Sequence, residues 1–447
     1  MLDQSLSLDT IAEQLLDAAK TAGAEAADVV VGESESLSVT ARDGKLEEAE
    51  RQESLDFGLR VFVGQRQASV SASDPAALGE LAERAVAMAQ EAPEDPEAGL
   101  ADPGQLATDV PELALLDPAE PPAPEQLLEI AFALEAGVRA VDGVARAEGP
   151  SAGWRRGRTV LAATNGFHRG YEAGSHSIGV TALAGEGLEM ERDYSFSAAR
   201  WREDLKSIDE VAKEAGERAV RRLNPRKPKT GACPVIFEPR MAAGLIGSLI
   251  AGANGASVAR GSSFLKDKMG ERILPAGLHI IDNPLKPRGL ASRAFDGEGL
   301  PVSRKSVFED GVLSTWLLDL ASARKLGLVS NGCASRGVSG APSPGSSNVW
   351  LAAGETTPEA LLADMGTGLL ITEMMGRGLN PVTGDYSRGA TGFWVENGEI
   401  AYPVAEITVA GDFLEMVASM IPANDLETDR RIAAPSLLIE GLTVAAE

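Results

Sequence analysis

Hydrophobic positions along the chain fall into stretches of two distinct periods. Residues 7–22, SLDTIAEQLLDAAKTA, put Ile11, Leu15 and Leu16 on one face at helical spacing, with Ala18 and Ala19 nearby. Ser7 stands where an N-cap belongs and Gly23 where a helix ends. Residues 28–31 and 37–40 read as strands. Residues 54–63, SLDFGLRVFV, alternate as a half-buried strand does, and residues 68–72 offer it a partner. Residues 76–91 form a second helix, rich in the strong formers Ala, Leu and Glu. The periodicity then stops. Eight prolines between Pro93 and Pro124, with acids among them, predict a long connector or extended arm rather than a packed element. Helical spacing resumes over 125–139. Strands follow at 146–149, at 158–164 and from Gly170 past Ser177, with Asn165-Gly166 as a hairpin turn. Residues 209–223 are a further helix.

The pattern changes at Asn224-Pro225-Arg226-Lys227-Pro228-Lys229, a basic, proline-bearing linker. Beyond it come a strand at 233–237, a helix at 239–251, and then short strands with many glycines. Turns are marked at Glu309-Asp310-Gly311 and Glu396-Asn397-Gly398. No fixed-period repeat is present. At 447 residues the chain exceeds what one core supports. The expected class is α+β: an N-terminal mixed α/β domain over 1–224, containing the acidic Pro-rich connector 93–124, and a β-rich C-terminal domain over 230–447.

Charge narrows the partners. Of the net charge of −25, residues 1–125 supply −20, holding 27 acidic and 7 basic side chains. Such a stretch repels phosphate backbones, so direct nucleic-acid binding is not expected. No apolar run is long enough to span a membrane. Met1 to Leu8 have neither a basic nor a long apolar region, so a cytoplasmic location is expected.

Much common chemistry is missing. There is no P-loop, no G-x-G-x-x-G after a strand and no C-x-x-C. Gly149-Pro150-Ser151-Ala152-Gly153 has the letters of a nucleophile elbow, but a strand follows the serine where an elbow needs a helix. The histidines are His168, His176 and His279. His168, Glu172 and His176 share strand parity, yet at about 3.3 Å per residue one metal cannot bridge them along a straight strand. Cys233 opens an apolar strand and reads as an inert thiol. Cys333 sits in a polar stretch that reads as a flexible loop with Arg336 nearby, the better candidate nucleophile of the two.

Five groups of residues, in order along the chain, resemble the TldD/PmbA family, also called modulator of DNA gyrase. The first is Asp43–Glu47 with Gly58-Leu59-Arg60-Val61-Phe62-Val63-Gly64. The second is Gly261-Ser262-Ser263-Phe264 with Met269-Gly270-Glu271. The third is Asp296-Gly297-Glu298-Gly299 with Phe308–Gly311. The fourth runs from Gly376 to Ser387 and on through Gly392–Ile400, and the fifth is Thr408-Val409-Ala410-Gly411 with Asn424-Asp425.

The family has two sister subunits. The TldD type carries H-E-x-x-x-H on a helix upstream of the Gly-Ser-Phe block, and a C-terminal cysteine completes its zinc site. Here residues 241–250 hold no His and no Glu, and 424–436 hold no Cys. The resemblance is therefore to the TldE (PmbA) side. It implies a non-catalytic subunit with no cofactor or metal of its own, paired with a TldD-like subunit that holds the zinc, acting on unfolded peptides and leader peptides. No catalytic residue carries over. Gly376, Gly378 and Gly384 would let a peptide backbone approach, and Asn380, Thr383 and Ser387 offer polar groups, so these six are expected either to wall a peptide channel or subunit interface, or to build a tight turn. Two alternatives stay open: a homo-oligomeric binding protein, with a homodimer when alone, and a self-sufficient hydrolase using Cys333 or a Ser/His pair around His279.

Overall fold

The structure is a computed structural model and describes residues 6–376 and 378–446. Met1 to Ser5, where a leader was sought, and Arg377 of the fourth group lie outside the described residues.

Helix α1 (Leu8–Thr21) begins where Ser7 accepts the amide proton of Thr10 at 3.1 Å. It is followed by β1 (Ala26–Arg42), β2 (Lys45–Val63), β3 (Arg66–Ala72) and α2 (Leu78–Glu91). Then come α3 (Pro124–Arg139), β4 (Val144–Ala163), β5 (His168–Ala184), β6 (Glu191–Ala199) and α4 (Ile208–Arg221). The strands form one antiparallel sheet in the order β3-β2-β1-β4-β5-β6.

One face of this sheet carries two helix pairs. Val29 and Val31 of β1 pack with Phe57 and Leu59 under α1 and α2. Leu37 and Val39, of the same parity, pack with Ile178 and Val180 under α3 and α4. The short strands expected at 28–31 and 37–40 are thus two ends of one strand. The polar stretch between them, Gly32 to Ser36, reads as a loop because no helix covers it. It stays extended because β2 and β4 both pair with it throughout.

The Pro-rich stretch corrects an expectation. It is extended, but it is packed. Ala101, Ala107, Leu113 and Leu115 are buried. The Leu115 carbonyl accepts from Gly174 N–H at 2.8 Å, and the Leu113 carbonyl from Arg288 N–H at 2.8 Å. Trp154 and Trp201 donate their indole N–H groups to the carbonyls of Pro122 and Ala114. Prolines and sparse apolar residues hide this packing from any periodic pattern. The main chain is held by single hydrogen bonds to both halves of the molecule.

In the second half, β7 (Gly231–Phe237), β8 (Gly368–Met375), β9 (Asp385–Glu396), β10 (Glu399–Asp412) and β11 (Leu437–Ala446) close into a ring. Each pairs with the next, and β11 returns to β7; only the β7–β8 pair is parallel. Closure leaves these strands no long free edge within the ring. A sheet of five short strands lies beside the barrel, built from Val312–Leu313, Lys305–Glu309, Ile280–Asn283, Asn348–Leu351 and Ile432–Ala433. Helix α5 (Pro239–Gly252) lies between them, burying Ala242, Leu245, Ile246, Leu249 and Ile250 in their shared core. Among the described residues, no helix is long and apolar enough to cross a membrane.

The far face of the first sheet rests on the C-terminal half. Val30, Leu161 and Phe167 meet Ala294 and Phe295, with the two phenylalanine rings edge to face at 5.1 Å. At the centre Asp28 is clasped by Arg60 of β2 and by Arg336. Beside it, Asp296 accepts amide protons from Glu298, Leu300 and Ala334. A Cβ on Gly58 would overlap the Val338 carbonyl. The first and third groups of family-like residues therefore meet here and build the joint between the halves.

Glu298 is enclosed at this joint. Burial, with the Asp296 carboxylate next to it, pushes its pKa up to about 8. The folded protein holds a proton there that the unfolded chain releases near pH 4.5. Its contribution is therefore full below that pH and is lost as pH rises through about 8. We expect the urea midpoint of Glu298→Gln to match the parent at pH 5 and to exceed it at pH 9. Identical pH slopes in both proteins would contradict this.

Candidate functional site

The second and fourth groups of family-like residues meet at a cleft of about 680 Å³ on the barrel mouth. Its floor is the outer face of α5 with Ser248, Ala251 and Gly252. One wall is the segment after the helix, with Ser257, Ser262, Ser263 and Phe264. The other is the hairpin from β8 to β9, with Gly376, Gly378, Leu379 and Pro381, and Tyr386 and Arg388 of β9 stand at its base. The walls are tied together by the Phe264 N–H, which donates to the Pro381 carbonyl at 2.8 Å, and Phe264 packs edge to face on Phe413. Met375 and Val382 stand exposed near the rim, at 49% and 53%.

The six residues singled out in the sequence divide into two roles. Gly376 and Gly378 line the cleft. Gly376 and Gly384 have φ of 74° and 87°, where a side chain is disfavoured. A Cβ on Gly378 would overlap the Ser387 carbonyl and the Arg388 stem. Asn380, Thr383, Gly384 and Ser387 hold the turn that carries these glycines. The Asn380 side chain accepts from Val382 N–H at 3.0 Å, Thr383 Oγ1 donates to Asp385 at 2.6 Å, and Ser387 N–H donates to the Gly378 carbonyl at 2.7 Å. The Gly384 carbonyl accepts from Phe413 N–H at 2.9 Å.

The chemistry of the lining is narrow. The serine hydroxyls serve the fold: Ser248 Oγ donates to Gly244 O, Ser262 Oγ to Ser257 O, and the buried Ser263 Oγ to Gly252 O at 2.6 Å. Among the described residues, no His, Asp or Glu lines the cleft, so none of its serines has a base beside it there. Burial pushes the Tyr386 hydroxyl up to about 12, and that hydroxyl donates to the Met374 sulfur at 3.0 Å. A zinc ion of the kind the resemblance implies needs about three His, Cys, Asp or Glu ligands. Among the described residues no three such side chains converge, and α5 carries none of them at its outer face. These residues do not fit the ion. What the cleft offers is backbone, hydroxyl and apolar contact, with one guanidinium.

The other candidates lie elsewhere. His168 faces Asp9 at 3.0 Å and His176 faces Asp117 at 3.4 Å, so the two histidines of β5 are matched to different carboxylates. Gly149 to Gly153 lie inside β4, with no helix after Ser151. His279 accepts the Asp310 N–H at 3.3 Å. Cys333 is a correction. It is fully buried rather than in a flexible loop, and burial raises its pKa. Its polar neighbours are turned inward: the Asn331 side chain accepts from Leu318 N–H and donates to the Trp316 carbonyl, and Ser330 donates to the Leu318 carbonyl. The half-buried Cys233 thiol is pushed up to about 11. Neither thiol is activated. Arg388 and Tyr386 were not singled out in the sequence. Their signal was there: both occupy inward positions of an alternating strand, where an arginine is out of place.

Comparison with known proteins agrees with this architecture. Three family models match in order: the PmbA/TldA metallopeptidase domain 1 over residues 27–89, the central domain over 117–223 and the C-terminal domain over 230–446. The chain is 39% identical to the metalloprotease PmbA of Escherichia coli O157:H7, over 95% of this chain and 93% of that one. It is 36% identical to the PmbA homolog of Haemophilus influenzae, over 96% and 94%. A crystal structure of a candidate modulator of DNA gyrase from Bacteroides thetaiotaomicron superposes with a TM-score of 0.89 at 26% identity, covering 98% of both chains. TldE from Thermococcus kodakarensis, at 20% identity and covering 98% of this chain and 100% of its own, shares the fold with a TM-score of 0.85. With matching family models along its length and relatives spanning nearly all of it, the chain belongs to the PmbA/TldD metallopeptidase family.

Proposed function

We propose that this chain is the non-catalytic, TldE-type subunit of a cytoplasmic, heteromeric TldD/TldE-type zinc metallopeptidase that degrades unfolded peptides and processes leader peptides. The observation that carries the proposal is the outer face of α5. Gly244, Gly247, Ser248 and Ala251 stand there, beside a cleft that, among the described residues, has no base to activate its serines and no metal donors. A peptide bond laid against it can be held but not cut. The zinc, and the water it activates, belong to the TldD-like partner. This chain supplies a wall against which an extended substrate lies, its glycines and main-chain groups bonding backbone rather than reading sequence.

Metal content and peptide hydrolysis, measured on the pure chain and after co-expression with a TldD-like protein, test the proposal. Zinc and activity are expected only in the pair, and a chelator should abolish the activity. A pure chain that holds one zinc per molecule and cleaves peptides overturns it.

A further inference from the structure

Arg222, Arg293 and Arg336 have a buried Nε without a partner among the described residues, but their terminal nitrogens are bonded, as are those of the other arginines drawn from solvent. Arg60 and Arg336 share Asp28, and Arg222 and Arg240 share Asp193. Arg200 and Arg324 donate to main-chain carbonyls. The charged depression on the first sheet is likewise settled, because Glu35 is bridged by Arg51 and Arg156, and Arg158 by Asp9.

Arg388 differs. It sits at an inward position of β9, between the buried Tyr386 and Ala390, with its stem under Gly378 and its side chain lining the cleft. Its Nε is shut off from solvent and has no hydrogen-bond partner among the described residues. Among the described residues, no acidic residue lines the cleft to balance its charge. The rest of the guanidinium is half-buried, with the Tyr386 hydroxyl rather than a carboxylate beside it, and the planar fork it presents matches one carboxylate. The rest of the lining is hydroxyl, glycine and apolar surface, which suits the uncharged remainder of an extended peptide.

We infer that Arg388 receives a carboxylate of the peptide in this cleft, either its C-terminal carboxylate or an Asp or Glu side chain. The inference rests on the cleft being a peptide site, as proposed above. It adds a preference to a surface otherwise indifferent to sequence: an anionic end or side chain is anchored at the barrel mouth, and that anchor sets where along the cleft the neighbouring peptide bonds lie.

The test is binding of a labelled, unstructured hexapeptide in three forms: free acid, C-terminal amide, and amide with one internal Glu. Each is titrated against the chain alone and against the chain with its TldD-like partner. On the parent protein the free acid or the Glu-bearing amide should bind about tenfold tighter than the plain amide, and which of them does so identifies the carboxylate. Arg388→Gln should erase the difference, and Arg388→Lys should keep part of it. The thermal midpoint of Arg388→Gln should not fall, because the change removes an unmatched charge. Equal binding of all three forms overturns the inference while leaving the peptide site intact. So does a preference that survives in Arg388→Gln, or a large fall in that variant's midpoint. If no form binds the chain or the pair, the peptide site itself is wrong and the inference falls with it.

Discussion

Asp28→Ala should lower the free energy of unfolding by about 3–5 kcal/mol, the cost typical of breaking a buried ion pair from one side. Burial by itself would raise the pKa of Asp28. Arg336 and Arg60 outweigh it and hold the carboxyl below its ordinary value. Removing the carboxylate leaves two guanidinium groups facing each other with their side chains 5% and 2% exposed. Because Arg60 comes from the first sheet and Arg336 from the C-terminal half, the loss falls on the joint between them. Denaturant unfolding should show the deficit, and Asp28→Asn should show most of it. Replacing all three by apolar residues (Asp28→Leu, Arg60→Met, Arg336→Met) should recover much of the loss, since no charge then remains to be buried. A change below about 1 kcal/mol in Asp28→Ala would mean that water reaches the arginines and the joint is looser than described.

On the proposed function, Gly378→Ala should cut peptide hydrolysis by the proposed pair about a hundredfold, with little change in thermal stability. The added methyl overlaps the Ser387 carbonyl and the stem of Arg388, so the hairpin must shift away from these residues of β9. The hairpin projects from the barrel, with Pro381, Val382 and Thr383 exposed, so this displacement leaves the core in place. A peptide lying across the cleft would then be misplaced relative to the reacting centre of the proposed partner. Full activity in this variant would remove the hairpin from the substrate path, and a collapse in thermal midpoint would show that the turn is structural instead.

Helices were the most legible part of the sequence. The spacing of Ile11 and Leu15 with Ser7 before them, and of the apolar side of α3, placed them within a residue or two. Hairpin turns were equally plain, because Gly166, Gly311 and Gly398 adopt the positive φ that their neighbours advertise. Strand length was not legible where a strand lacks a helix above it, as at Glu33 to Ser36. Nor was barrel closure. No local pattern tells residues 231–237 that they will lie between 368–375 and 437–446. At the cleft, the glycines at 376, 378 and 384 could be read because they bend the chain. Arg388 left only a faint signal, its inward place in an alternating strand; the absence of an opposing charge exists only once β8, β9 and α5 are brought together. Cys333 was misjudged for the opposite reason. Its neighbours Ser330 and Asn331 are polar letters whose hydrogen bonds all turn inward.

The closed ring also orders events at the ribosome. Every pairing of the first sheet is complete once Ala199 has emerged, each strand meeting one that precedes it. β7 is different: it leaves the exit tunnel with both neighbours still unsynthesised, and the later of them, β11, ends one residue before the last amino acid of this sequence. Its apolar residues Val235, Ile236 and Phe237 must wait, uncovered on at least one edge, until β11 has emerged. The first sheet completes its pairings as its strands appear, whereas the barrel that carries the cleft closes only when β11 arrives.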